Sequence, residues 1–240
     1  MFSDKFSTPF YNHSFRLKLP TIIKSKEDIK IIYHYLNKLF NCSFEYASFQ
    51  NFILNQELIQ LLFGNAKIPK QLYIQKCDII INDYDNEDLF QFILNHLACK
   101  ILGFGLLLSK EMGKYKDYLF KILTKRGDNF KEINLLFINS RRNLDSDMIV
   151  TFYDQIVECI ATSTDCSKIV PDITIEFSHS TSLKLSEKAE KVEIKQLNGV
   201  KYKNYQISNI HNSKVRFSFC NEERDIDFLV LDVKIKIMKE

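Results

Sequence analysis

Between Gln71 and Phe177 short alternating apolar runs take turns with longer runs at helical spacing. Leu72 and Ile74 alternate with Tyr73 and Gln75 as a strand, and Ile79-Ile80-Ile81 reads as a second extended piece. Asp85 or Asn86 is placed to cap a helix over 88–99, whose Leu89, Phe90, Ile93 and Leu97 share a face. Phe104, Leu106 and Leu108 alternate with Gly105, Leu107 and Ser109, and this near two-sided apolarity predicts a buried parallel strand. Tyr115, Tyr118, Leu119 and Ile122 form the next helical face, ended by Gly127. A strand with Ile133, Leu135 and Phe137 follows, then the longest helix, with Ile149, Phe152, Tyr153, Ile156 and Ile160. Pro171 opens a strand that sets Ile173, Ile175 and Phe177 against Thr174 and Glu176.

The flanks extend this grain. Residues 1–14 lack a period and read as a loose leader. Phe15, Leu17 and Leu19 alternate with Arg16 and Lys18 until Pro20 stops the strand. Ser25, with Asp28 three residues on, predicts a capped helix whose Ile29, Ile32, Tyr33, Leu36 and Phe40 share a face and which ends near Asn41. A strand over Phe44–Ala47 and a short helix at Leu58, Leu61 and Leu62, closed by Gly64, follow. After Phe177 the helices fade. Val192 and Ile194 alternate with Glu193 and Lys195, Asn198-Gly199 signals a tight turn, and alternation returns over Tyr202–Ile207, Val215–Phe219 and Leu229–Ile237.

The strands recur about every 30–40 residues, enough for one crossover helix each. A doubly wound sheet and a curved solenoid both fit. Units of similar size and the lack of a glycine-rich first β-α turn favour the solenoid. The expected fold is therefore α/β, a leucine-rich-repeat-like array of β-α units forming one domain over 15–240. Residues 177–240 would be a β-rich C-terminal cap closing its open end.

Composition narrows the function classes. Six Gly and four Pro leave little material for phosphate loops or turn-rich sandwiches. A net charge of +3 is too mild to imply nucleic acid or a membrane surface. No apolar run approaches the roughly 18–20 residues that span a bilayer, and the polar start Met1-Phe2-Ser3-Asp4-Lys5 lacks a signal-peptide core, so a cytoplasmic or nuclear setting is expected. Six scattered cysteines show no C-x-x-C, and Cys99 and Cys159 fall in helical patterns as small hydrophobes.

Candidate chemistry is sparse. His96 has no ligating residue one helical turn away. His211 sits in an Asn-rich turn, and His179-Ser180-Thr181-Ser182 juxtaposes a base and hydroxyls only in sequence. The acidic stretch Asp83–Asp88 lacks the central Gly and terminal Glu of a calcium loop and suits a helix N-terminus. Lys121, Lys125, Arg126, Arg141 and Arg142 read as a solvated basic face without stacking aromatics. No catalytic, cofactor-binding or metal residue is assigned, and no enzyme activity or cofactor is expected.

Several stretches carry a resemblance: Lys38 through Ala47, Phe92-Ile93-Leu94-Asn95-His96-Leu97, and Ile160-Ala161-Thr162-Ser163 through Cys166 to Val170-Pro171. The C-terminal ones are Ala189 through Lys195, Tyr205 through Asn212, and Lys214 through Phe219. In these the chain resembles F-box-domain-type proteins of plant-parasitic (root-knot) nematodes, in the region C-terminal to the F-box. The resemblance implies a substrate-recognition domain with a protein partner, without nucleic acid or membrane. It implies docking on a cullin-type ubiquitin-ligase adaptor only if a longer form carries the F-box, since Leu19-Pro20 opens no separate helical module. A secreted parasite effector is the other role it leaves open.

Overall fold

A computed structural model describes residues 24–50, 56–64, 70–81, 86–107, 112–138, 147–179, 183–227 and 230–240. The expected leader and the strand at Phe15–Leu19 lie outside these residues. Two compact units divide the chain, Met1–Leu39 and Phe40–Glu240.

In the first unit, helix α1 (Lys26–Phe40) begins at the expected cap. The Ser25 N–H donates to Asp28 Oδ2 at 2.9 Å, and the Asp28 N–H donates to Ser25 Oγ at 3.1 Å. Two of the N–H groups that the first helical turn leaves open are thereby satisfied reciprocally.

The second unit runs β1 (Ser43–Gln50), α2 (Gln56–Phe63), β2 (Leu72–Ile81), α3 (Glu87–His96), β3 (Leu97–Leu107), a 3-10 turn at Met112–Tyr115, and α4 (Lys116–Lys125). It continues with β4 (Phe130–Ile138), α5 (Asp147–Thr162), β5 (Asp172–His179), β6 (Glu190–Leu197), β7 (Val200–Ser208), β8 (Arg216–Asp227) and β9 (Val230–Lys239). All nine described strands join one mixed sheet in the order β1-β2-β3-β4-β5-β9-β8-β7-β6.

This corrects the expected solenoid with a separate cap. The first five strands are parallel and in chain order, but β5 offers its free edge to β9, antiparallel, from Asp172–Met238 to His179–Leu231. The tail therefore extends the sheet instead of closing an array. Because the parallel order of the described strands never reverses, they form no switch point of the doubly wound kind either. Crossovers of one hand set α2, α3, α4 and α5 on one face, where successive helices touch.

The apolar spacing has a finer grain than simple alternation. Buried positions step by three and then by two: Ile74-Cys77-Ile79, Cys99-Leu102-Phe104, Phe130-Ile133-Leu135 and Val170-Ile173-Ile175. The strand register aligns them, with Ile74 beside Cys99 beside Phe130, and Cys77 beside Leu102 beside Ile133 beside Ile173. Between the two levels the pairings step over Gln75, Lys100 and Lys131, all exposed. Two boundaries move accordingly. Leu72–Ile81 is one strand, not two pieces. Helix α3 stops at His96, and Leu97 and Cys99, expected in it, open β3. Leu97 satisfies both periods, one turn after Ile93 and two residues before Cys99. The register decides: the Cys99 N–H donates to the Asn129 carbonyl at 3.0 Å, and Asn129 Nδ2 donates to the Leu97 carbonyl at 3.3 Å.

The core lies between sheet and helices. Phe104 stacks with Phe90 of α3, Phe137 meets Phe152 of α5 edge-on, and Phe49 meets Phe92. Each fully buried aromatic of this kind contributes about 2–3 kcal/mol through apolar area removed from water. Helix α5 also reaches the antiparallel half, where Tyr153 meets Phe219 edge-on and Tyr205 stacks on Phe219. The β6-β7 hairpin turns at Asn198 (φ 50°) and Gly199 (φ 76°), the pair of left-handed residues that a two-residue turn demands. Among the described residues no helix is long and apolar enough to cross a membrane.

Candidate functional site

Since Phe49, Phe104 and Phe137 face the helices, strand alternation sends their neighbours to the opposite face. Helices α2 to α5 all lie on the other side of the sheet. One row across the face opposite them reads Ser48, Asp78, Gly103, Asn134, Thr174, Lys236, Cys220 and Asn204. The next reads Ile80, Gly105, Leu136, Glu176, Lys234, Glu222 and Tyr202.

The first row is polar. Asp78 is only 8% exposed, and its Oδ2 accepts from the Tyr46 hydroxyl at 3.0 Å. Its carboxylate lies across Gly103, where a Cβ would stand 2.6 Å from Oδ1. Gly103 is thus the gap that lets a carboxylate lie flat in the sheet. The second row begins apolar: Ile80 and Leu136, with the Leu107–Ile138 pair beside them, form a half-exposed island on β2–β4, and Ile101 lies apart from it, across the polar row, between Lys76 and Glu132. Charge borders it. Lys234 pairs with Glu176 at 2.6 Å, and Lys236 stands 3.8 Å from Glu222. Asp172 has its pKa raised, first by partial burial and then by the neighbouring Glu132, while Lys236 opposes the shift.

The helix-side face holds two buried polar devices that the sequence reading passed over. Lys203 Nζ lies 2.6 Å from Glu223 Oε1, with the side chains 5% and 3% exposed. The same groups grip the backbone of Leu183: Glu223 accepts its N–H at 2.9 Å, and Lys203 donates to its carbonyl at 2.5 Å. Extending the buried alternation of β7 from Ile207 through Tyr205 lands on Lys203, and that of β8 from Phe217 through Phe219 and Asn221 lands on Glu223. The signal was therefore present, but a charged residue does not advertise a core position. Next to it the Tyr153 and Tyr205 hydroxyls share a hydrogen bond, and burial pushes both phenols up in pKa. The fully buried Asn221 amide is near enough to draw both down slightly, yet neither of its polar atoms makes a hydrogen bond of ordinary geometry. It is a close neighbour of the phenols, not a bonded partner.

The residues singled out from the sequence are dispersed. His96 stands against the rings of Phe40 and Phe92, and its Nδ1–H donates to the Lys70 carbonyl at 2.9 Å. Its pKa is lowered, chiefly by burial. Asn86 occupies the N-cap position of α3 without a side-chain cap bond; its N–H donates to the Tyr115 hydroxyl at 3.0 Å, and Glu87 accepts from the Tyr118 hydroxyl at 2.6 Å. Asp83, Asp85, Arg141, Arg142 and Ser180 to Ser182 lie outside the described residues, as does the side chain of His179. Lys121 sits over the Tyr118 ring, Lys125 ends α4, and Arg126 follows with its guanidinium pKa lowered by burial.

His211 belongs to a cap. Asn209, 2% exposed, accepts the His211 N–H at 2.9 Å and the Asn212 N–H at 3.1 Å on Oδ1. Its Nδ2 donates to the Ile160 and Ser163 carbonyls at 2.8 and 2.9 Å, closing the C-terminus of α5.

All six cysteines are free, and burial pushes Cys99 up to about 12 and Cys77 up as well. Among the described residues no group of three or more His, Cys, Asp or Glu could hold a metal ion. A shallow cleft of about 400 Å³ lies between α4 and α5, lined by Asp117, Phe120, Gln155, Glu158, Cys159 and Thr162.

Residues 3–106 match the family model of a domain of unknown function, DUF8381. No curated protein matches the chain. Among solved structures, the thermo- and acido-stable ORF-99 from the archaeal virus AFV1 is similar at 16% identity and a TM-score of 0.25, over 40% of this chain and 96% of that one.

Proposed function

We propose that this chain is a non-enzymatic interaction domain, of the substrate-recognition kind, holding a protein partner on the sheet face opposite its helices. The apolar island of Ile80, Leu107, Leu136 and Ile138 carries the reading, set in a border of paired and unlike charges. An apolar centre within a polar rim is the anatomy of a protein interface, and a hydrogen-bonded sheet presents it with little ordering cost. Affinity capture with the wild-type chain and with Leu136→Glu in parallel tests it. Proteins held by the wild type and lost with the variant, which keeps the same circular dichroism, are the expected result. An identical set of captured proteins for both chains, or none for either, would overturn the reading.

A further inference from the structure

The strand at the end of the sheet differs from every other. All eight residues of β6 are exposed, among them Val192 at 45%, Ile194 at 55% and Leu197 at 60%. An exposed edge strand is a template for another strand, and proteins usually blunt it. Here the blunting is local: the backbone bulges between Glu190 and Glu193, with Lys191 at φ 51°, while Glu193 to Leu197 pair with β7 without interruption.

We infer that β6 is the docking edge for a second copy of this chain, pairing antiparallel with the partner copy's β6 about a two-fold axis through Ile194. The charge pattern selects this occupant, and together with the bulge it selects this register, since an axis through Val192, which would set Glu193 against Lys191, falls within the bulged stretch. Strand pairing about a two-fold axis perpendicular to the sheet keeps each residue opposite one on the same face. Ile194 lies on the helix side, opposite Lys203, and Glu193 and Lys195 lie on the other face, opposite Asn204 and Tyr202. An axis through Glu193 would set Glu193 against itself and Lys191 against Lys195. An axis through Lys195 would set that lysine against itself. With the axis through Ile194, each Glu193 faces the other copy's Lys195.

Within one copy Glu193 Oε1 and Lys195 Nζ are already 2.8 Å apart. Pairing turns two such dipoles into a square of alternating charge, each group flanked by opposite sign along and across the strands. On the other face Ile194 meets its symmetry mate, and each Val192 lies opposite the other copy's Gln196 and diagonal to its Ile194. One face of the joint thus has an apolar centre flanked by Gln196 and the other a charge square, and the two sheets become continuous. The joint uses the β6 edge alone, so it stands or falls separately from the island on β2–β4.

Sedimentation equilibrium of the full chain, from about 1 μM to about 1 mM, reads the association directly. The wild type is expected to show a reversible dimer. Glu193→Lys and Lys195→Glu, which put like charges face to face twice per dimer, each weaken it by about tenfold or more. The double variant Glu193→Lys/Lys195→Glu rebuilds the square with inverted sign and returns to within about threefold of wild type. Both positions are exposed, so each of the three variants keeps its fold, checked by circular dichroism. A wild type that stays monomeric across the range, single variants that dimerise as well as wild type, or a double variant as weak as the singles would each overturn the proposal.

Discussion

Asp172 shows how a single residue carries the tension of the sheet's open face. Partial burial and the Glu132 carboxylate raise its pKa, and Lys236 only partly compensates. The folded state therefore holds this proton more tightly than the unfolded chain, and stability falls as pH rises from the ordinary carboxylate value through the raised one. Above that window the ionised Asp172 works against the fold. Asp172→Asn should raise the urea midpoint at pH 7, and the advantage should shrink toward pH 3.5, below the ordinary carboxylate pKa of about 3.9. Equal midpoint gains at both pH values would show that ionisation is not the cause. The two glycines of β3 make a second contrast. At Gly103 a Cβ would crowd Asp78 Oδ1 at 2.6 Å, whereas at Gly105 the nearest atoms are 3.8 Å away. Gly103→Ala should cost about 1–3 kcal/mol through overpacking and displacement of the Tyr46–Asp78 bond. Gly105→Ala should be neutral or stabilise by up to about 1 kcal/mol, since alanine loses less backbone entropy in a strand. Paired denaturant titrations of the two variants decide this, and a Gly105→Ala variant as damaged as Gly103→Ala would refute the packing argument.

At the scale of elements, the segment around Leu183 is tied to the sheet by the buried Lys203–Glu223 pair. Desolvation makes such a pair a poor source of net stability, but halving it strands a charge. Glu223→Leu alone should destabilise by about 3–5 kcal/mol, and adding Lys203→Met should recover most of the loss. Calorimetry of single and double variants tests this; a double variant no better than the single would mean that packing, not the orphaned lysine, carries the cost. The elements themselves were largely legible in the sequence. Ser25 and Asp28 announce the α1 cap, Asn198-Gly199 announces the hairpin, and the longest helix is found where Ile149 to Ile160 predict it. The boundary at Leu97 was not legible, because that residue suits a helix and a strand equally. Only its neighbour across the sheet breaks the tie.

At the scale of the whole molecule, the parallel and antiparallel halves share one sheet and one core. The β5–β9 pairing, the shared Tyr153–Tyr205 hydrogen bond and the Asn209 cap on α5 all cross between them. Unfolding should therefore be a joint event: amides of β3 and of β8 should exchange with the same free energy of opening, rising together with any stabilising substitution. A block of early exchange confined to β7, β8 and β9 would indicate a separable cap and defeat this expectation.

Taken by itself, the sequence settles what depends on neighbours along the chain. It contains the alternation of strand and helix, the caps and turns, and the apolar faces whose period follows from backbone geometry. It does not settle which strands become neighbours. The repeat permits an array with a cap as readily as a single sheet, because side-chain spacing constrains which face of a strand is buried and says nothing about which edge receives the next strand. That choice is made by hydrogen bonding between distant segments, β9 on β5, and by the burial of Tyr205 and Phe219 beneath α5. The same tertiary step gives Asp78, Lys203, Glu223 and Asn209 their roles, since a polar residue acquires a buried partner only once the sheet is assembled.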